Sequence, residues 1–121
     1  MTIQRLHVSS RFSEIAIAGN LVHLAGQLAT DTSLDIRGQT QQTLDIIDQF
    51  LAEAGTDKSQ IMSVTIYLKD IEQDYATFNE VWDAWVADIE ALPRTCVEAK
   101  MYLPEVLVEM TVVAIKPVAT A

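Results

Sequence analysis

Apolar positions recur with helical spacing at Thr43, Leu44, Ile46, Ile47, Phe50, Leu51 and Ala54, while Asp45, Asp48, Gln49 and Glu53 fill the opposite face. This pattern predicts a first helix, and Gly55 follows it as a stop. A second helix is predicted over about Tyr75 to Ile89: Phe78, Val81, Trp82, Trp85 and Val86 form one stripe, and the pattern ends before Pro93. Between the two, Ile61-Met62-Ser63-Val64-Thr65-Ile66-Tyr67-Leu68 alternates and is rich in β-branched residues, which predicts a central strand. Ile3 to Val8 reads as another strand. Glu14 to Ala18 and Leu21 to Ala25 flank Gly19-Asn20, the signature of a tight hairpin with positive φ at its turn.

Thr95 to Lys100 and Val106 to Ile115 supply the last strands, giving the order β-β-β-α-β-α-β-β. The expected fold is α/β, or α+β depending on how strands are counted: a mixed sheet with two helices on one face. In the last strand Val106, Val108, Met110, Val112 and Ala114 point one way, and Leu107, Glu109, Thr111 and Val113 the other. Two helices cover one face only. The apolar second face therefore reads as a subunit interface.

At 121 residues the chain reads as one domain, 1–121, able to bury roughly two-thirds of the surface its unfolded form exposes. No linker, repeat or low-complexity segment divides it. With 8 Lys+Arg against 17 Asp+Glu the formal charge is −9. Such a field repels nucleic acid and anionic lipid, so neither is an expected partner. The single cysteine, the lack of a signal-like apolar start and the lack of a run approaching the ~20 residues of a membrane helix lead to the expectation of a soluble, cytoplasmic protein.

Charge is concentrated where the chain otherwise reads as buried β-structure. Pro93-Arg94-Thr95-Cys96-Val97-Glu98 is followed by Leu103-Pro104 and by Val106-Leu107-Val108-Glu109-Met110. Burying one cation and two carboxylates costs several kcal/mol unless they are paired or used. Arg94 follows a proline, so its planar five-donor fork is aimed with little freedom left to lose, and it suits a carboxylate held by two bonds. A salt bridge to one of the many acidic residues is the alternative. Glu109 sits mid-strand, where a carboxylate faces water, a partner or a substrate. For Cys96 nothing in the neighbouring sequence predicts a lowered thiol pKa, and a small core residue is the plain reading. His7 and His23 lie on separate predicted strands without a Cys or second His at ligand spacing, so no metal is expected, and no cofactor.

These residues resemble the C-terminal signature of the RidA/YjgF reactive-intermediate deaminase family: a Pro-Arg start, a Cys two residues on, a Leu-Pro turn and a Val-x-Val-Glu strand. Cys96 and Glu109 are 13 positions apart, the separation that pattern leads one to look for. Gly26-Gln27 matches the family's Ser-Gly-Gln segment, with Ala25 in place of the serine. Asn79 matches a recurrent asparagine and is taken as structural, as is Glu98, whose direction the alternation leaves open. Phe12, 14 positions before Gly26, stands where the family's deaminases commonly carry a tyrosine; the ring is kept and the hydroxyl lost.

The resemblance implies a chorismate-mutase-like, YjgF-like fold assembled as a homotrimer, with ligand clefts between subunits. It implies an enzyme, a hydrolase acting on C=N bonds, that converts small 2-imino acids to 2-keto acids and ammonia. In that reading Arg94 binds the carboxylate and Glu109 orients the attacking water, and both are catalytic. Phe12, Gly26 and the backbone around Cys96 complete the substrate site. The competing reading is a binding module or chaperone-like trimer that captures a keto acid without turnover. The endoribonuclease activity also attached to the family is disfavoured by the acidic charge.

Overall fold

The computed structural model describes residues 2–117. Six strands form one sheet: β1 (Ile3–Val8), β2 (Ser13–Ala18), β3 (Leu21–Gln27), β4 (Ile61–Leu68), β5 (Arg94–Glu98) and β6 (Val108–Ile115). Their spatial order is β1-β2-β3-β6-β4-β5, so β6, last in sequence, lies between β3 and β4. Every pairing is antiparallel except β4 with β5, which run parallel. Helix α2 (Ile71–Trp85) makes the crossover between those two. Helix α1 (Ile36–Glu53) connects β3 to β4, followed by a short 3₁₀ turn at Lys58–Gln60. This is the mixed sheet with two helices that the sequence predicts.

Local signals set the boundaries. Gly19, at φ 60°, turns the β2–β3 hairpin. Asp35 caps α1 by accepting from the Gly38 amide at 2.9 Å. At its other end Gly55, at φ 87°, allows the Gly55 amide to reach Ala52 and the Thr56 amide to reach Leu51. Helix α2 begins four residues before the sequence pattern suggests, because Asp70 accepts from the Gln73 amide and Glu98 accepts from the Ile71 amide, both at 3.1 Å. Glu98 is thus a structural residue. The helix ends at Trp85, and the positions up to Ile89 form a turn. Lys100 and Val106-Leu107, expected in strands, lie in the loop joining β5 to β6.

The core lies between the helices and one sheet face. Ile15, Val22, Leu24, Val64, Ile66, Met110 and Val112 meet Leu44, Ile47 and Leu51 of α1 and Phe78, Val81, Trp82 and Trp85 of α2. Each large side chain buried there contributes of order 1.5–3 kcal/mol. Along β6 the alternation is regular: Val108, Met110, Val112 and Ala114 are buried, while Glu109, Thr111, Val113 and Ile115 are half-buried on the other face. No helix lies over that face among the described residues.

Candidate functional site

The sequence-selected residues fall into two groups on opposite faces of the sheet. Arg94 and Cys96 form the first, at the edge strand β5 on the helix side, where they pair in register with Val64 and Ile66. Arg94 Nη2 donates to Asn79 Oδ1 at 2.8 Å and to the Tyr75 hydroxyl at 3.3 Å. Its guanidinium carbon lies 5.9, 5.8 and 5.2 Å from the ring centres of Tyr75, Phe78 and Trp82. Three aromatic faces attract the cation and keep competing water away from it. Its Nη1 is buried and has no hydrogen-bond partner. A buried charged donor without an acceptor is costly, and an arrangement that brought an acceptor to Nη1 would relieve that cost. The described residues offer Arg94 no carboxylate: the ion pairs among them are His7–Glu53, Arg37–Glu80 and Lys58–Asp88.

Cys96 packs against the core beside Arg94. Burial pushes its thiol pKa up, and the neighbouring Arg94 charge offsets only part of this. It is a protonated thiol at neutral pH, unsuited to nucleophilic attack.

The second group centres on Glu109, whose side chain lies on the face away from the helices, and its cleft extends to Ile46, Gln49 and Phe50 of α1. Leu24 pairs with Val112 and Gln27 with Met110, so Ala25 and Gly26 together oppose Thr111 in a β-bulge. The buried Gln27 holds the bulge by donating to Glu14 at 3.3 Å and to the Ala25 carbonyl at 3.0 Å. The Glu109 carboxylate lies against Gly26: a Cβ added there would sit 2.9 Å from Glu109 Cδ and closer still to Oε2. Only glycine leaves the carboxylate that space. Burial raises the Glu109 pKa above the usual carboxylate range. Glu109, Gly26, Phe12, Arg11, Phe50 and Tyr102 line one cleft of about 1040 Å³.

Phe12, Gly26 and Glu109 therefore meet in one place, and Arg94 and Cys96 in another. In register, Glu109 lies across from Tyr67, and Tyr67 across from Val97. Arg94 and Glu109 are thus two strand spacings and three residues apart, about 14 Å between Cα atoms, with side chains on opposite faces. No small molecule touches both within one chain. Sequence reasoning missed the partners of Arg94. Asn79 orients its fork, and Tyr75, Phe78 and Trp82 form its bed; the stripe of α2 was visible, but not the strand edge it faces.

The relatives agree with this architecture. A sequence model described as endoribonuclease L-PSP matches residues 2–116. A RutC family protein of Haemophilus ducreyi is 45% identical, the match covering 93% of this chain and 95% of that protein. The RutC family protein YoaB of Escherichia coli is 37% identical over 94% of this chain and 98% of its own. Among solved structures, a member of the YjgF protein family from Neisseria meningitidis superposes with a TM-score of 0.93 at 39% identity, covering 98% of each chain. An uncharacterized protein from Pseudomonas aeruginosa gives 0.92 at 43%, covering 96% of this chain and all of that one. Matched over almost its full length by the family's sequence model and by relatives of this identity, the chain belongs to the endoribonuclease L-PSP family, the group also called RutC and YjgF.

Proposed function

We propose that this protein hydrolyses small 2-imino acids to 2-keto acids and ammonia in clefts between the subunits of a homotrimer. The observation that carries this reading is Arg94: a guanidinium held by Asn79 and 5.2 to 5.9 Å from three ring centres, with a buried nitrogen lacking an acceptor. Arg94 binds the substrate carboxylate in bidentate fashion. Glu109 of a neighbouring copy accepts a proton from water as the water oxygen bonds to the imine carbon and the C=N pair moves to nitrogen, and passes that proton to the nitrogen to give the carbinolamine. It then takes the hydroxyl proton and delivers it to the nitrogen, so that the C–N bond breaks, the carbonyl forms and ammonia leaves. A carboxylate with a raised pKa suits both transfers. The backbone at Gly26 and the Phe12 ring flank the substrate. The uncovered sheet face with Thr111, Val113 and Ile115 supplies the apolar surface between copies. A charge of −9 disfavours RNA as the substrate.

Mixed trimers test the cleft directly. Arg94→Ala and Glu109→Gln chains are each expected to be inactive alone. Coexpressed in equal amounts, they pair an intact Arg94 with an intact Glu109 in one cleft of every mixed trimer, restoring about a quarter of parental turnover if closed trimers assemble at random. No recovery, with mixed trimers present by mass, sinks the intersubunit site.

Gly26→Ala is expected to keep the melting temperature near the parent's, since the atoms nearest the added methyl belong to the outer end of the Glu109 side chain, which can rotate away. Turnover should fall on the order of 100-fold, because the carboxylate must move by an ångström or more. An unchanged rate would remove Gly26 from the site.

A further inference from the structure

Two exposed aromatic rings stand in the Glu109 cleft: Phe12, which flanks the substrate in the reading above, and Tyr102, to which that reading gives no role. Phe12 is 55% exposed and Tyr102 is 72% exposed. The ring pairs among the described residues are His7–Phe50, Phe78–Trp82 and Trp82–Trp85, and Phe12 and Tyr102 belong to none of them. Both line the same cleft as Gly26 and Glu109. Tyr102 also borders two smaller neighbouring pockets, of about 580 and 240 Å³, and so stands where the three meet.

The loop that carries Tyr102 is tied down on both sides. Buried Gln39 donates to the Glu105 carbonyl at 2.9 Å and accepts from the Leu107 amide at 3.0 Å. Lys69 donates to the Pro104 carbonyl, and the Val106 amide to the Leu103 carbonyl at 3.2 Å. The ring is thereby presented from an anchored turn. The cleft, about 1040 Å³ and open to solvent in the single chain, leaves room beside the two rings for a substrate side chain longer than a methyl. Loss of the hydroxyl at Phe12 leaves an apolar ring, and Phe50 and Ile46 extend the apolar wall.

We propose that the cleft selects 2-imino acids with bulky apolar side chains, aromatic ones first, held against the rings of Phe12 and Tyr102. This deepens the imino-acid reading and rests on it. Rings with free faces gain most from a flat apolar group in offset or edge-on contact. Burying a phenyl group in place of a methyl is worth about 10- to 100-fold in affinity. Arg11, which lines the same cleft, offers the opposing possibility of a second carboxylate on the substrate.

Calorimetry on the whole protein with phenylpyruvate, pyruvate and 2-oxoglutarate reads this selection without requiring turnover. Phenylpyruvate is expected to bind at least tenfold more tightly than pyruvate, and Tyr102→Ser and Phe12→Ser should each cut that ratio about tenfold. Light scattering should show the mass of the Tyr102→Ser variant unchanged from the parent. If its mass falls, the ring serves contact between copies and the proposal is overturned. Equal binding of pyruvate overturns it too, as does tightest binding of 2-oxoglutarate, which points to Arg11. Imines generated from phenylalanine and alanine by an amino-acid oxidase should follow the same order in turnover. If no imine is hydrolysed while the phenylpyruvate preference holds and the variants erase it, the reaction falls and the selective cleft stands.

Discussion

Arg94→Ala is expected to abolish measurable binding of pyruvate and 2-oxobutanoate while the protein stays folded. Truncating one member of a desolvated charge pair costs about 2–5 kcal/mol, a loss of roughly 30- to several-thousand-fold. Here the remaining walls cannot compensate. Asn79 and Tyr75 present an oxygen each to Arg94 and would leave the ligand carboxylate without its fork. Arg94→Lys should recover little, because an ammonium is a point charge that cannot hold Asn79 and two carboxylate oxygens in one plane. The stability cost is smaller than the binding cost. Losing the cation over Tyr75, Phe78 and Trp82 removes about 1–2 kcal/mol, a few degrees in Tm. Calorimetry finding parental affinity in the alanine variant would remove Arg94 from the site, and the deaminase reading with it.

Glu109→Gln should lower turnover by about 10²- to 10⁴-fold while pyruvate still binds within a few-fold of the parent. The amide keeps the shape of the carboxylate but neither takes up nor returns a proton. In the parent, the rate should rise with pH through a midpoint above the ordinary carboxylate range, since burial raises the Glu109 pKa and the ionised form activates water. The glutamine variant should lack that limb. Folding stability runs the other way. A carboxyl whose pKa is higher folded than unfolded favours the fold when protonated. That contribution is complete below the unfolded value and is lost as pH rises through the folded one. At neutral pH the glutamine variant should therefore be no less stable than the parent. A glutamine variant with the parent's rate would exclude Glu109 from proton transfer. A parent that binds pyruvate but hydrolyses no imine would make the protein a binding module.

Much of this was readable in the sequence, and the misses share a cause. The hairpin at Gly19, the alternation of β4 and the stripe of α2 depend on neighbours within a few residues, and they stand as predicted. The first two turns of α1 were invisible because Ile36 to Gln42 shows no apolar period. Their anchor is Gln39, wholly buried, whose amide serves the carbonyls of Thr32, Leu34 and Glu105. A hydrophobic pattern does not register a buried amide. The start of α2 did carry a local signal, since Asp70 followed by Gln73 is the spacing of a helix cap. The site divides in the same way. Arg94 and Glu109 were individually recognisable as charges in β-structure. That they face opposite ways depends on the β4–β5 and β4–β6 registers, which no spacing within either strand encodes.

The position of β6 governs the order in which the molecule can be assembled. β1, β2 and β3 form one antiparallel meander from neighbouring segments, and β4, α2 and β5 form a separate parallel unit. Neither shares a ladder with the other until β6 inserts between β3 and β4 and bonds to both. Until then each half presents an unpaired inner edge, rich in Val, Leu and Ile, that is open to wrong pairing with another chain. On a ribosome this exposure lasts for nearly the whole of synthesis, because the strand that ends it is made last. Its arrival also sets Glu109 against Gly26. The Glu109 half-site is therefore created in the same event that joins the two halves of the sheet, whereas the Arg94 half-site is built from β5 and α2 alone and needs no β6.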